Sequence, residues 1–268
     1  MTAPDFLRID SRETTEASLD DNRRLIGMKS NAPGPLLGYT IQFPRALYHL
    51  LRSGPGDAVC VEVLGDVATL KPDGGVIAEE DKSSIVGNPL TDKSIDLWKT
   101  FSNWIETIIS RNLDVGKTKF ILYCNKSGRN GIVGKFSSAQ NQQEAQSAIA
   151  DAKKVLNDIK KDHDIWKYYD FAVNQNESLL AKIVERFELQ IGSNVGYDEA
   201  RYEIQRKHVP ESQIEFLMDK ISGWLQKVIT EKIAAREPAI ISWEEFNHQF
   251  LVLFDRTRLR ELLDFTLQ

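Results

Sequence analysis

Cysteine is nearly absent. Cys60 and Cys124 are the only two in 268 residues, and both sit in apolar, strand-like runs. Two thiols supply neither a disulfide framework nor a four-ligand zinc site, so both read as small buried hydrophobes. No apolar run approaches the ~20 residues a membrane span needs. The N-terminal MTAPDFLRIDSRETTEASLDDNRR carries acids, unlike a secretory signal or a transit peptide. The four histidines, His49, His163, His208 and His248, show no H-E-x-x-H spacing. GRNGIVGK at 128–135 is not a phosphate-binding loop, because Phe136 stands where the hydroxyl ligand belongs. LQIGSNVG at 189–196 follows an expected helix rather than a strand, so it is no dinucleotide fingerprint. The expectation is a soluble cytoplasmic protein with no membrane partner.

The net charge of −5 argues against a sequence-independent coat for nucleic acid. One stretch departs from it. Between Asp114 and Glu144 no acid occurs, while Lys117, Lys119, Lys126, Arg129 and Lys135 bring five positive charges. That stretch is either a solvated loop face or a rim that contacts phosphates.

What is present divides into two parts. Leu36 to Leu51 has helical spacing, with Pro44 predicting a kink or a helix start. Three short strands are expected near 58–64, 66–70 and 75–83, the last two joined by Pro72-Asp73-Gly74-Gly75. Leu97, Phe101, Trp104, Ile105 and Ile108 recur at the helical period. KTKFILYCN at 117–125 is a continuous apolar run of the kind buried on both faces of a sheet. From about residue 140 the chain reads as helical, with helices near 140–161, 176–190, 210–235 and 243–254. Residues 1–165 are therefore expected to form an α/β unit and 166–268 an α-helical half serving regulation, oligomerisation or partner docking.

The chemistry concentrates in GDVATLKPDGGVIAEEDKSS, residues 65–84. Strand alternation puts Glu80 and Lys82 on one face, with Glu79 and Asp81 on the other. Folding at 71–75 returns Asp66 to the neighbourhood of Glu80. Glu62 falls in register with Asp66 if the first strand runs straight through Gly65. Converging carboxylates bind a hard divalent cation, Mg²⁺ or Mn²⁺. A lysine on the same face can orient or deprotonate a water, or neutralise charge on a phosphate. The plain alternative is a charged strand end that blocks edge pairing.

The order helix, strand, Asp66, hairpin, Glu80-Asp81-Lys82, helix, buried strand resembles the PD-(D/E)XK nuclease superfamily. GYTIQFPRALYHLL, VCVEVLGDVATL, SIDLWKTFSNWIETI and KFILYCNKSG resemble successive blocks of one branch. That branch supplies the N-terminal effector module of bacterial anti-phage defence proteins. The resemblance covers roughly residues 12–165. It implies a restriction-endonuclease-like mixed sheet flanked by helices. It also implies a metal-dependent endonuclease that cuts duplex DNA with little sequence preference. Asp66, Glu80 and Lys82 match its catalytic set, with Asp66 and Glu80 as metal ligands and Glu62 as a further acid that ligates the metal through water. Gln42 matches a supporting glutamine. Asp81 departs from the pattern, which favours an apolar residue there. Lys117, Lys119, Lys126, Arg129 and Lys135 would lie along the DNA backbone. The implied partners are duplex DNA, further copies of the chain, and a sensor or ATPase (SAVED, STAND, SMC-like or HerA-like) in cis or trans. The rival reading is a decayed nuclease fold that serves as a binding scaffold.

Overall fold

The computed structural model describes residues 33–84, 87–111, 113–126 and 131–266. The expectations for residues 1–32 and for Arg129 lie outside them. The chain enters through α1 (Pro33–Thr40) and α2 (Gln42–Arg52). Pro44 lies in the first turn of α2, where a missing N–H breaks no helical bond. It therefore marks a helix start rather than a kink within one helix.

Strands β1 (Ala58–Val61), β2 (Val67–Leu70) and β3 (Val76–Lys82) come after these helices. Helix α3 (Ile95–Arg111) crosses to β4 (Thr118–Cys124). Next come α4 (Ile132–Ser138), α5 (Gln142–Val155), the short α6 (Trp166–Tyr169) and α7 (Glu177–Val184). The remaining elements are β5 (Phe187–Ile191), α8 (Tyr197–Gln205), α9 (Glu211–Ala234), β6 (Ala239–Ser242) and α10 (Trp243–Thr266). All six strands form one open sheet in the order β5-β4-β3-β2-β1-β6. β3, β4 and β5 run parallel, and the remaining pairs are antiparallel. The architecture is α/β, with a mixed sheet and helices on both faces.

Two apolar clusters separate along the strand alternation. Cys60, Ala68, Ala78, Phe120, Leu122 and Cys124 point to the layer formed by α3 to α7. Trp98, Phe101 and Trp104 of α3 are all buried in that layer, so these aromatics pack the core. Val59, Val61, Val67 and Ile241 point to the opposite layer of α2, α8, α9 and α10. Both cysteines are buried and free. Among the described residues no helix is long and apolar enough to cross a membrane.

The expectation of an all-helical region from residue 166 onward needs correction. The expected helix over 176–190 stops at Val184, and Phe187–Ile191 is a strand. Phe187 and Leu189 alternate with Glu188 and Gln190, a two-residue period too short to stand out beside a helix. β6 is four residues long and adds to the sheet beside β1. The region expected to be helical thus supplies both edge strands of the sheet.

Candidate active site

The β2–β3 hairpin assembles the site. Its turn closes through Lys71 N to Gly75 O at 2.8 Å and Gly74 N to Lys71 O at 3.0 Å. Gly74 has φ +80°, the conformation for which the turn needs glycine. The register pairs Val67 with Glu79, so Asp66, just ahead of β2, comes beside Glu80. Asp66 therefore opens a strand instead of ending one.

The condition under which strand alternation would bring Glu62 into register with Asp66, a strand running straight through Gly65, is not met, and the first strand is shorter than the expected 58–64. It stops at Val61, Glu62 takes φ +58°, and Glu62 N bonds Asp66 O at 3.0 Å. The segment 62–66 is a tight connection between two antiparallel strands. Glu62 reaches the site from this turn and not by strand alternation. Gly65, at φ +115°, lets the hairpin close: a Cβ there would stand 3.1 Å from the Glu79 carbonyl oxygen.

Five expected residues come together. Gln42 Nε2 donates to Glu62 Oε1 at 2.6 Å and to Asp66 Oδ1 at 3.2 Å. Asp66 Oδ2 accepts from the Asp81 amide at 2.7 Å. Lys82 Nζ donates to Glu80 Oε2 at 2.9 Å. Burial raises the Glu80 carboxyl above the ordinary range, and Asp66 and Glu62 add repulsion that Lys82 only partly offsets. Burial pulls Lys82 down, but Glu80 and Asp66 outweigh it, so its ammonium form is favoured. Among the described residues no three His, Cys, Asp or Glu side chains are arranged to hold a metal ion. Glu80 is engaged by Lys82, and Asp66 and Glu62 by Gln42.

The described basic residues, Lys117, Lys119, Lys126 and Lys135, do not form one rim. Lys126 lies beyond the end of β4 where Cys124 pairs with Lys82. Lys117 and Lys119 stand at the opposite end of β4, about 20 Å away at the rise of a strand. There Lys117 Nζ donates to the Asp73 carbonyl at 3.1 Å, and Lys119 pairs with Glu188 at 2.5 Å. Lys135 sits on α4, paired with Asp151 of α5 at 2.7 Å. The strand itself separates the lysines that the linear sequence places together.

Sequence reasoning missed a second charged group, on the other face of β3. Arg45 forks onto Glu79, Nε to Oε1 at 2.6 Å and Nη2 to Oε2 at 2.8 Å. Nη2 also donates to Gln190 Oε1 at 2.9 Å. The guanidinium carbon lies 4.4 Å from the Tyr48 ring centroid and 3.9 Å from that of Tyr123. His49 completes the group, with Nε2 3.0 Å from Glu79 Oε2 and Nδ1 2.9 Å from Thr69 Oγ1. Asp81 is buried beside them and neither of its oxygens is hydrogen-bonded. A signal was available: Gln42, Arg45 and His49 recur at three- and four-residue spacing, a polar stripe on a helix whose neighbours are apolar.

No family model matches the sequence. No curated protein matches it. Among solved structures, the chain is similar to the Acinetobacter baumannii Cap4 SAVED/CARF-domain containing receptor with the cyclic trinucleotide 2′3′3′-cAAA. The identity is 16% and the TM-score 0.48, over 84% of this chain and 46% of that one. The chain thus spans less than half the length of that receptor.

Proposed function

We propose that the chain is a metal-dependent endonuclease of the PD-(D/E)XK type, acting on duplex DNA. The observation that carries this reading is the gathering of Asp66, Glu80 and Lys82 on one face of the β2–β3 hairpin, with Gln42 tying Asp66 to Glu62. The donor set suits the cation. Mg²⁺ is held by one or two carboxylates, keeping waters and substrate phosphate in its other positions. Asp66 and Glu80 are those carboxylates. A divalent cation held there would polarise the phosphate and lower the pKa of an attacking water.

The remaining roles belong to the protein's own side chains. Gln42 and the Asp81 amide fix the orientation of the Asp66 carboxylate. Glu62 acts through water. Lys82, as an ammonium, balances the negative charge that builds on the phosphorus oxygens. Water adds to phosphorus, the bond to the 3′ oxygen breaks, and that oxygen takes a proton. The products are a 5′-phosphate and a 3′-hydroxyl. Among the described basic residues of the acid-free stretch, Lys126 is the one best placed to meet the DNA backbone near this chemistry.

A nuclease without base recognition has to be restrained in its own cell. The reading therefore extends to an anti-phage effector, switched on by assembly into an oligomer or by a sensor or ATPase partner. Two sites in one assembly would cut both strands. One observation favours a second reading, a decayed nuclease fold used as a scaffold: Glu80 is already engaged by Lys82, and Asp66 and Glu62 by Gln42.

Plasmid cleavage separates the two. Supercoiled DNA is incubated with wild type, Asp66→Ala and Lys82→Ala, in Mg²⁺, Mn²⁺ or EDTA, with and without lysate from phage-infected cells. The expected outcome is metal-dependent nicking or linearisation that falls by ~100-fold or more in both variants. Mn²⁺ is expected to raise the wild-type melting temperature but not that of Asp66→Ala, because binding to the folded state alone stabilises it. Absence of both cleavage and a metal-induced shift supports the scaffold.

A further inference from the structure

Gln42, Arg45 and His49 share one face of α2, and each holds a carboxylate. Gln42 holds Glu62 and Asp66, while Arg45 and His49 hold Glu79. Glu79 and Glu80 are consecutive on β3 and project to opposite faces. Whatever fixes Glu79 on one side fixes Glu80 on the other, since a slip of one residue would exchange them. A single helix thus holds Glu79 of β3 and, in the β1–β2 connection, the candidate ligand Asp66 with its neighbour Glu62.

We infer that the Arg45–Glu79 clamp is a positioning device for the metal site, with Arg45 as its key residue. This rests on the nuclease reading above. Stability is a poor explanation for the clamp. Arg45 and Glu79 are both fully buried, and the desolvation of such a pair commonly cancels its attraction. Arg45 Nη1 has no partner, so the network is not fully satisfied. What the pair does provide is direction. The guanidinium fork matches one carboxylate in one plane, Gln190 of β5 accepts a third bond, and two aromatic rings flank it. That geometry sets the distance of α2 from β3. It therefore sets whether Gln42, one turn earlier on α2, can reach Asp66.

The test replaces the charged pair with apolar residues of similar volume, Arg45→Met with Glu79→Met. Arg45→Lys, which keeps the charge and loses the fork, is studied beside it. Mn²⁺ binding by isothermal titration, the melting temperature, and cleavage at varied DNA concentration are the three readouts. The double variant is expected to melt near wild type while Mn²⁺ binding weakens about tenfold or more, as loss of supporting shells does. Cleavage falls in kcat with KM for DNA unchanged, and Arg45→Lys lies between. Wild-type metal binding and cleavage in both variants would overturn the inference and leave the nuclease reading standing. If the double variant melts far below wild type, Arg45→Lys decides: weakened Mn²⁺ binding at a wild-type melting point supports the clamp, and unchanged binding refutes it. A wild type that neither binds Mn²⁺ nor cleaves removes the nuclease reading, and the inference with it.

Discussion

Asp81 shows how much one residue's surroundings can demand. It is buried, neither oxygen is hydrogen-bonded, and Glu79, Arg45 and Asp66 are the charges that act on it, with Tyr123 nearby. Burial, then Glu79, raise its carboxyl well above the ordinary 3.8, and Arg45 recovers only part. A neutral Asp81 has an O–H for the carboxylate of Glu79. In the unfolded chain it ionises near 3.8, so its contribution is complete below that pH. It is then lost as pH rises toward the raised folded value, at about 1.4 kcal/mol per pH unit. Glu79 works in the other direction. Burial opposes its charge, but His49 and Arg45 outweigh burial and bring it from 4.5 to about 2. Its stabilisation is present above 4.5 and lost as pH falls toward 2. Asp81→Asn keeps the shape and supplies a permanent donor. It is expected to gain about 1 kcal/mol or more at neutral pH. Thermal melts between about pH 4 and 8 should show the wild type weakening with rising pH and Asp81→Asn doing so less. Parallel curves would assign the pH dependence elsewhere.

At the scale of elements, the β2–β3 hairpin was legible in the sequence and the β1–β2 connection was not. Pro72-Asp73-Gly74-Gly75 between two apolar runs specifies a turn by its chemistry, and two-residue alternation then fixes which acids share a face. This is why Asp66, Glu80 and Lys82 group together on sequence alone. Val63 and Leu64 look like more strand, so the turn at 62–66 was hidden. Only the left-handed backbone at Glu62 and Gly65 reveals it. The Arg45 group was only half legible: Gln42, Arg45 and His49 form a polar stripe on α2, but the groups they meet come from β2, β3, β4 and β5, and no local pattern joins those to the stripe. Gly65→Ala tests the turn. The new Cβ would be strained at φ +115° and would press the Glu79 carbonyl at 3.1 Å and approach Glu80 Oε1 at 3.6 Å. A loss of about 1–3 kcal/mol in denaturant unfolding is expected. A variant as stable as wild type would show that the connection tolerates another path.

At the scale of the whole molecule, the question is whether residues 1–165 stand alone. Composition suggested a boundary near there, because helical periodicity dominates the C-terminal part of the chain. The sheet argues against it. Removing 166–268 strips β5 from one edge and β6 from the other, leaving β4 and β1 with unpaired backbone groups. It also removes α8, α9 and α10, which cover Val59, Val61 and Val67 together with Leu47 and Leu50 of α2. On the site side it removes Gln190, one of the acceptors of Arg45. A fragment ending at residue 165 would therefore expose one apolar face of the sheet and loosen the helix that carries Gln42. It is expected to aggregate, to show no cooperative thermal transition by circular dichroism, and to bind no Mn²⁺, whereas the full chain melts cooperatively. Gel filtration with a thermal melt of both proteins checks this. A monodisperse fragment with a sharp transition that cleaves plasmid would restore the division at 165. It would also free the C-terminal region to act only as a docking surface, and the fate of that one fragment decides between an embedded site and a detachable module.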